Sequence, residues 1–128
     1  MNSLAVIILT KNEEVNIVDA IEAAKACATE VLVVDSGSTD GTVELAKAHG
    51  ARVVFRAWTN DFAAQRNFAL TQTEADWVFY VDADERITPD LAQAVEQVVT
   101  ANEAKQYSVT RKSVAFGTKF NHGVLKPD

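Results

Sequence analysis

The sequence has 128 residues, of which 48% are hydrophobic and 23% are charged, and its formal net charge is −6. This length and composition fit a single folded domain, and they exclude a disordered chain and a membrane-spanning one, since no apolar run approaches the roughly 20 residues that a bilayer requires. The negative charge disfavours binding to nucleic acid, and it repels an anionic nucleotide unless a cation or aligned backbone N–H groups reverse the local field.

Apolar runs and helix-length segments alternate along the chain. Four runs rich in β-branched residues predict strands at Leu4–Leu9, Val31–Val34, Arg52–Phe55 and Trp77–Val81. Most of these runs lack polar alternation, which is typical of strands covered on both faces of a parallel sheet. The sequence therefore predicts an α/β fold, a mostly parallel Rossmann-like sheet with helices on both faces.

Three predicted helices have recognisable ends or core faces. The first is expected to begin near Asn12, the Val43–His49 helix ends before Gly50, and the last begins at Pro89, directly after the cap residue Thr88. The residues expected to face the core are Ile17, Ile21 and Ala24 in the first helix, and Leu91, Ala94, Val95, Val98 and Val99 in the last. The single cysteine, Cys27, is predicted to be a small buried thiol on the apolar side of a helical stretch.

The pattern changes near the C-terminus. Residues 1–104 form the β/α units, and residues 105–128 are predicted to add further strands and a loose tail to the same single domain, 1–128. Tyr107–Arg111 and Val114–Phe120 predict a hairpin-like pair, whereas the tail from Asn121 onward predicts no element. The N-terminus lacks the features of a signal peptide, which predicts a cytoplasmic protein and is compatible with peripheral attachment at the inner face of the cell membrane.

Polar residues follow the first, second and fourth predicted strands, and a strand order of 3-2-1-4 would bring them to one crevice. Asp82 and Asp84 are two residues apart, so in an extended segment both carboxylates point to the same side and can converge on one hard cation, Mg²⁺ or Mn²⁺. The alternative is a solvated acidic turn that caps the following helix.

The segment after the second strand begins with Asp35, whose carboxylate can accept hydrogen bonds from a nucleobase or a ribose hydroxyl. The cap and turn residues Gly37 to Gly41 leave open a purely structural strand-to-helix turn. A P-loop is excluded because no Gly-Lys-Ser/Thr is present, and the glycine-rich dinucleotide fingerprint is absent after the first strand.

Four segments together resemble family 2 glycosyltransferases of the A-type fold. They are Leu9-Thr10-Lys11-Asn12-Glu13-Glu14, Val33-Val34-Asp35-Ser36-Gly37-Ser38-Thr39-Asp40-Gly41-Thr42, Gln65-Arg66-Asn67 and Val81-Asp82-Ala83-Asp84-Glu85-Arg86-Ile87. Within that family the motifs are similar to those of the bacterial lipopolysaccharide-core glucosyltransferase subgroup. The resemblance implies the N-terminal, donor-binding portion of such an enzyme, truncated at its C-terminal side.

The resemblance also implies roles for individual residues. The implied nucleotide-binding residues are Thr10, Asn12, Glu13, Asp35, Ser38, Arg66 and Asp82, and the implied metal ligands are Asp82 and Asp84. The implied reaction is inverting transfer of a hexose from a nucleoside-diphosphate sugar, most simply a UDP-sugar, to a hydroxyl of a glycan or glycolipid acceptor in lipopolysaccharide or other cell-envelope glycan synthesis. No acid after Asp84 stands out as the general base, which is expected to lie in the part of such enzymes that this chain lacks.

Two other functions remain to be weighed. The chain could be a nucleotide-binding module without transfer activity, and self-association through exposed apolar surface or an unpaired strand edge is compatible with either function. A receiver-like signalling domain is disfavoured, because its phospho-accepting aspartate would follow the third strand, where Arg56 stands.

Trp58 and Phe62 are predicted to be packing residues rather than a base-stacking platform.

Overall fold

The computed structural model describes residues 3–101, 107–108 and 124–127. Strands and helices alternate through most of the chain. The elements are β1 (Leu4–Thr10), α1 (Ile17–Ala24), β2 (Glu30–Asp35), α2 (Thr42–Ala48), β3 (Arg52–Phe55), α3 (Phe62–Leu70), β4 (Trp77–Asp82), α4 (Pro89–Ala101), β5 (Tyr107–Ser108) and β6 (Val124–Pro127). The predicted succession of β/α units is confirmed, while the single-domain boundaries 1–128 stay a prediction.

The strands of the described residues form one sheet in the order β3-β2-β1-β4-β6-β5. Strands β1 to β4 are parallel, and their order, 3-2-1-4, is the one under which the polar strand ends were expected to share a crevice. Thr10 pairs with Asp35 on one side of β1, and Leu9 pairs with Asp82 on the other. The polar ends of three strands therefore meet at one edge of the sheet, where the strand order reverses.

Both faces of the sheet are covered. Leu4, Val6 and Ile8 of β1 belong to a buried cluster that includes residues of α1, α2 and α4, while Ala5 and Ile7 pack in a second cluster with α3. Each buried Leu or Ile side chain stabilises the fold by about 1.5–3 kcal/mol relative to exposure. Burial on both faces explains why these strands lack polar alternation, and it gives the sheet edge a rigid base.

Helix α4 and the end of α2 follow the sequence prediction. The hydroxyl of Thr88 accepts a hydrogen bond from the N–H of Leu91 at 3.1 Å, as expected of an N-cap. Gly50, which follows α2, has a φ of +89°, in the left-handed region that favours glycine. The predicted core positions of α4 are buried at Leu91, Val95 and Val99 and half-buried at Ala94 and Val98.

The start of α1 differs from the prediction. The helix begins at Ile17, and Asn12 lies in the loop before it with a φ of +54°. The side-chain oxygen of Asn12 accepts a hydrogen bond from the N–H of Thr39 at 2.8 Å, and its own N–H donates to Ser38 at 2.8 Å. These bonds to the β2–α2 loop hold Asn12 outside the helix, which a helical pattern alone does not reveal.

The C-terminal strands correct a second prediction. Tyr107–Ser108 is a strand, but Val124–Pro127 is also one, so the tail after Asn121 is not without an element. β6 pairs antiparallel with β4 and with β5. Its four residues carry no alternating pattern, and their extended state comes from the backbone edge that β4 offers as a partner. The predicted strand Val114–Phe120 lies outside the described residues.

Cys27 lies in the turn after α1 rather than within a helix, and it packs half-buried against the core. Burial, with a smaller contribution from Glu96, raises the pKa of its thiol to about 12. We expect iodoacetamide to alkylate native Cys27 near pH 8 on the order of a thousandfold more slowly than the unfolded chain, because only the thiolate reacts. Equal rates with and without denaturant, followed by mass spectrometry, would contradict this burial.

None of the helices within residues 3–101 combines the length and the hydropathy of a membrane-spanning segment.

Candidate functional site

A crevice of about 340 Å³ opens at the carboxyl ends of β1 and β4. It lies at the point where the strand order reverses, which is where open parallel sheets bind ligands. Its walls come from the loops after β1, β2, β3 and β4 and from α3. The lining residues are Leu9, Thr10, Lys11, Glu13, Ser36, Trp58, Phe62, Gln65, Asp82, Ala83 and Asp84.

The acid pair lies at the end of β4. Asp82 is the last residue of the strand and is half-buried, whereas Asp84 is exposed, and both line the crevice. The segment is a turn and not the extended dipeptide that the sequence suggests, since the N–H of Glu85 donates to the carbonyl oxygen of Asp82 at 2.9 Å. The carboxylate of Glu85, itself buried, accepts from the N–H of Asp82 at 3.1 Å and closes the turn from within.

The donor atoms of this pair suit a hard divalent cation. Mg²⁺ and Mn²⁺ take oxygen ligands, and Mg²⁺ in particular retains water when it bridges one or two carboxylates to phosphate oxygens. Within the described residues no group of three or more His, Cys, Asp or Glu side chains could hold a metal. The two carboxylates of Asp82 and Asp84 would thus supply only part of a coordination shell, and the rest would come from water and ligand oxygens.

Asp35 lies beneath the crevice rather than in its lining, and only 3% of its surface is exposed. One carboxylate oxygen accepts from the hydroxyls of Thr10, at 2.7 Å, and Ser38, and the other accepts from the N–H groups of Gly37 and Ser38. Burial acts to raise the pKa of Asp35, but these hydrogen bonds outweigh it and hold that pKa below its usual value. Its acceptor positions are therefore occupied by the protein itself.

The loops after β1 and β2 are joined by several hydrogen bonds. Besides the bonds of Asn12, the N–H of Glu13 donates to the hydroxyl of Thr42 at 2.8 Å. Glu13 lines the crevice, whereas Asn12 and Ser38 do not and act within the loop structure. Of the predicted nucleotide-binding residues, the structure brings Thr10, Glu13 and Asp82 together in the crevice wall.

Arg66 lies on α3, outside the crevice lining. Its guanidinium carbon is 5.6 Å from the ring centroid of Tyr80, and its Nε is buried without a hydrogen-bond partner among the described residues. Tyr80 and Asp82 are two residues apart on β4 and so share a face of the sheet. Arg66 is thus a cation on the Asp82 side of the sheet, set back from the crevice.

Sequence reasoning missed part of the wall. Trp58 and Phe62 pack edge to face, with ring centroids 4.8 Å apart, as packing residues would. Both also line the crevice, and Phe62 is 60% exposed, so they form part of the crevice wall as well as packing on each other. Gln65 is almost fully buried and exchanges hydrogen bonds with Arg56. The one sequence clue is Asp61, a cap residue that marks the start of α3 next to Phe62.

The comparisons with known proteins agree with one another. The family model for glycosyl transferase family 2 matches residues 5–126. An uncharacterized glycosyltransferase of Rickettsia typhi is 37% identical over 107 residues, which make up 84% of this chain and 36% of the relative. The lipopolysaccharide core biosynthesis glycosyltransferase LpsC of Rhizobium meliloti is 34% identical over 120 residues, or 89% of this chain and 44% of the relative. The chain thus spans less than half the length of these relatives.

A solved structure gives the same result for the fold. Glucosyl-3-phosphoglycerate synthase from Mycobacterium tuberculosis, in complex with Mn²⁺, UDP and glucosyl-3-phosphoglycerate, superposes with a TM-score of 0.63 at 25% identity. The match covers 84% of this chain and 43% of that structure. The A-type glycosyltransferase fold that the sequence motifs imply is confirmed.

Proposed function

Because this chain belongs to glycosyltransferase family 2, we propose that it binds a nucleoside-diphosphate sugar in the crevice and contributes to transfer of the sugar to an acceptor hydroxyl. The proposed reaction is inverting displacement at the anomeric carbon of a hexose. The name of the relative LpsC supports a role in lipopolysaccharide or other cell-envelope glycan synthesis.

One observation carries the proposal. Two carboxylates, Asp82 and Asp84, line the same crevice in a protein with a net charge of −6. The charged side chains in the crevice lining are three acids, Glu13, Asp82 and Asp84, and one cation, Lys11, so a divalent cation between Asp82 and Asp84 would be needed to offset the excess negative charge that a diphosphate meets there. When bound, that cation would neutralise the charge that develops on the departing diphosphate. The complex of the similar mycobacterial synthase with Mn²⁺ and UDP supports both Mg²⁺ or Mn²⁺ as the metal and UDP as the nucleotide.

The protein's own residues would then bind the nucleoside. Thr10 and Glu13 stand in the wall and can contact it directly, whereas Asp35 would act through the hydroxyl of Thr10, which it holds at 2.7 Å. Asn12 and Ser38 would support the same loops. Arg66 would have to turn from Tyr80 to reach a base or a diphosphate, and the unpaired Nε supports such a second position.

The described residues offer few candidates for the general base that would accept the proton of the acceptor hydroxyl. The acids that line the crevice among the described residues are Glu13, Asp82 and Asp84, and the last two are assigned to the metal. Glu13 is assigned to the nucleoside and accepts a hydrogen bond from Asn16 at 3.1 Å, and we assign no general base.

Cytoplasmic location and self-association both stay predictions. Self-association is supported by Phe55, which is 64% exposed on edge strand β3.

Mass spectrometry of transfer products tests the proposal against a module that only binds nucleotide. The chain, and a version extended to the length of its relatives, would be incubated with Mn²⁺, UDP-hexoses and lipid A-type or simple sugar acceptors. We expect transfer by the extended protein and turnover well below about one per second, the low end of ordinary enzyme rates, by this chain alone. Donor binding without product from either protein would favour the binding module.

A further inference from the structure

The acid motif continues into Arg86, whose role the proposed function does not explain. Arg86 is half-buried, and one nitrogen of its guanidinium donates to the backbone oxygens of Ala83, at 2.8 Å, and Glu85, at 3.0 Å. Ala83 stands between the two crevice acids in the chain. Arg86 is therefore hydrogen-bonded to the backbone of the turn that carries the proposed metal ligands.

The other terminal nitrogen of Arg86 connects this turn to the opposite wall. It donates to the side-chain oxygen of Asn16 at 3.1 Å, and the amide nitrogen of Asn16 donates in turn to the carboxylate of Glu13 at 3.1 Å. Ala83 and Glu13 are both crevice-lining residues. A continuous chain of hydrogen bonds thus runs from the acid turn to the β1–α1 loop.

The side chain of Asn16 takes part in this chain of hydrogen bonds instead of capping its own helix. It occupies the N-cap position of α1, where asparagine normally accepts a bond from an N–H of the first helical turn. Its side chain makes no capping bond there. Both ends of the amide are instead used between Arg86 and Glu13.

We propose that Arg86 is a positioning residue that fixes the Asp82–Asp84 turn against the β1–α1 loop, and so sets the geometry in which one divalent cation and a diphosphate are held. Two carboxylates that line one crevice repel each other, and an external restraint on the turn that carries them would oppose their separation. A guanidinium suits this task because its planar fork holds several oxygens in fixed directions, which a lysine ammonium does not. The inference rests on the proposed function.

The test measures binding of Mn²⁺ alone and of UDP with Mn²⁺ to Arg86→Lys, Asn16→Ala and the double variant. We expect each single change to weaken both affinities about tenfold, in the range seen when residues that orient metal ligands are altered. The double variant should lose no more than either single variant, because both changes break the same chain of bonds. Amide hydrogen exchange at Ala83–Glu85 should rise in the single variants as well.

Arg52→Lys is the matched control. Like Arg86, Arg52 donates to a side-chain oxygen, here the carboxylate of Glu30, and to a backbone oxygen, that of Gln72, but it lies at the opposite end of the strands. Its replacement should leave both affinities unchanged. If the parent chain binds no UDP with Mn²⁺, the proposed function fails.

If the parent binds and a folded Arg86→Lys binds equally well, only the positioning role is wrong. Additive losses in the double variant would likewise contradict it. If thermal melting shows that Arg86→Lys does not fold, the affinities of Asn16→Ala for Mn²⁺ and for UDP with Mn²⁺ test the positioning role instead. Parent-like affinities in Asn16→Ala would then contradict it.

Discussion

Asp84→Asn is expected to weaken binding of UDP in the presence of Mn²⁺ by roughly a hundredfold. The change keeps the size of the side chain but removes one of the two crevice-lining carboxylates that we propose as metal ligands. Loss of one partner from a close charge interaction typically costs about 2–5 kcal/mol, and about 2.7 kcal/mol corresponds to a hundredfold change in Kd. Because Asp84 is exposed and lies in a turn, the fold itself should be little affected.

Calorimetric titration of the variant and the parent measures this effect. Glu44→Gln is the matched control, since it removes one negative charge from an exposed position on α2 that does not line the crevice. We expect the control to bind UDP like the parent, or slightly better because the net charge is less negative. Parent-like affinity in Asp84→Asn would show that this carboxylate holds no metal.

Asp35→Asn is expected to lower the free energy of unfolding by about 2–4 kcal/mol and to weaken binding of uridine. The buried carboxylate accepts bonds from two hydroxyls and two backbone N–H groups. An amide keeps one acceptor oxygen and turns its NH₂ toward donors, which leaves buried groups unsatisfied. The hydroxyl of Thr10 also loses its restraint in the crevice wall.

Urea unfolding, with Asp61→Asn alongside, measures the stability part of this prediction. Asp61 caps α3 by accepting from the N–H of Ala64, and asparagine caps equally well, so this control should change stability by less than about 0.5 kcal/mol. A change in the free energy of unfolding of less than about 0.5 kcal/mol in Asp35→Asn would mean that the four hydrogen bonds of this carboxylate contribute little to stability. Unchanged uridine binding in the variant would remove Asp35 from the nucleotide site.

Acid adds a further readout for Asp35. Its pKa in the fold lies below the ordinary value of 3.8, so the folded state binds this proton less readily than the unfolded chain does. The resulting stabilisation is fully present above the unfolded pKa and is lost as the pH falls through the folded one. The stability difference between the parent and Asp35→Asn should thus be constant near neutral pH and shrink below about pH 4.

The sequence predicted the features of this protein that depend on continuous burial of whole strands. Trp77–Val81 and Leu4–Leu9 are apolar without alternation because both of their faces are covered, and that pattern determined the strands and the parallel sheet. The three polar strand ends then indicated where the crevice lies. The motifs further identified the family.

The features that escaped prediction depend on distant partners. Val124–Pro127 is a strand because β4 offers its edge, and Asn12 leaves the helix because the β2–α2 loop binds its amide. The sequence could not reveal that the four acceptor positions of Asp35 are taken by Thr10 and its own loop. The pairing of β4 with β6 and the bonds of Asn12 and Thr10 span many residues, and no local pattern records them.

Calorimetric titration of the parent chain with UDP, once with Mn²⁺ and once with excess chelator, tests the central claim most directly. GDP, CDP and dTDP in the same two buffers would identify the base. If Asp82 and Asp84 hold a cation that bridges to the diphosphate, UDP should bind in Mn²⁺ and lose most of its affinity in chelator. Equal affinity in the two buffers would contradict the metal bridge on which the proposed function depends.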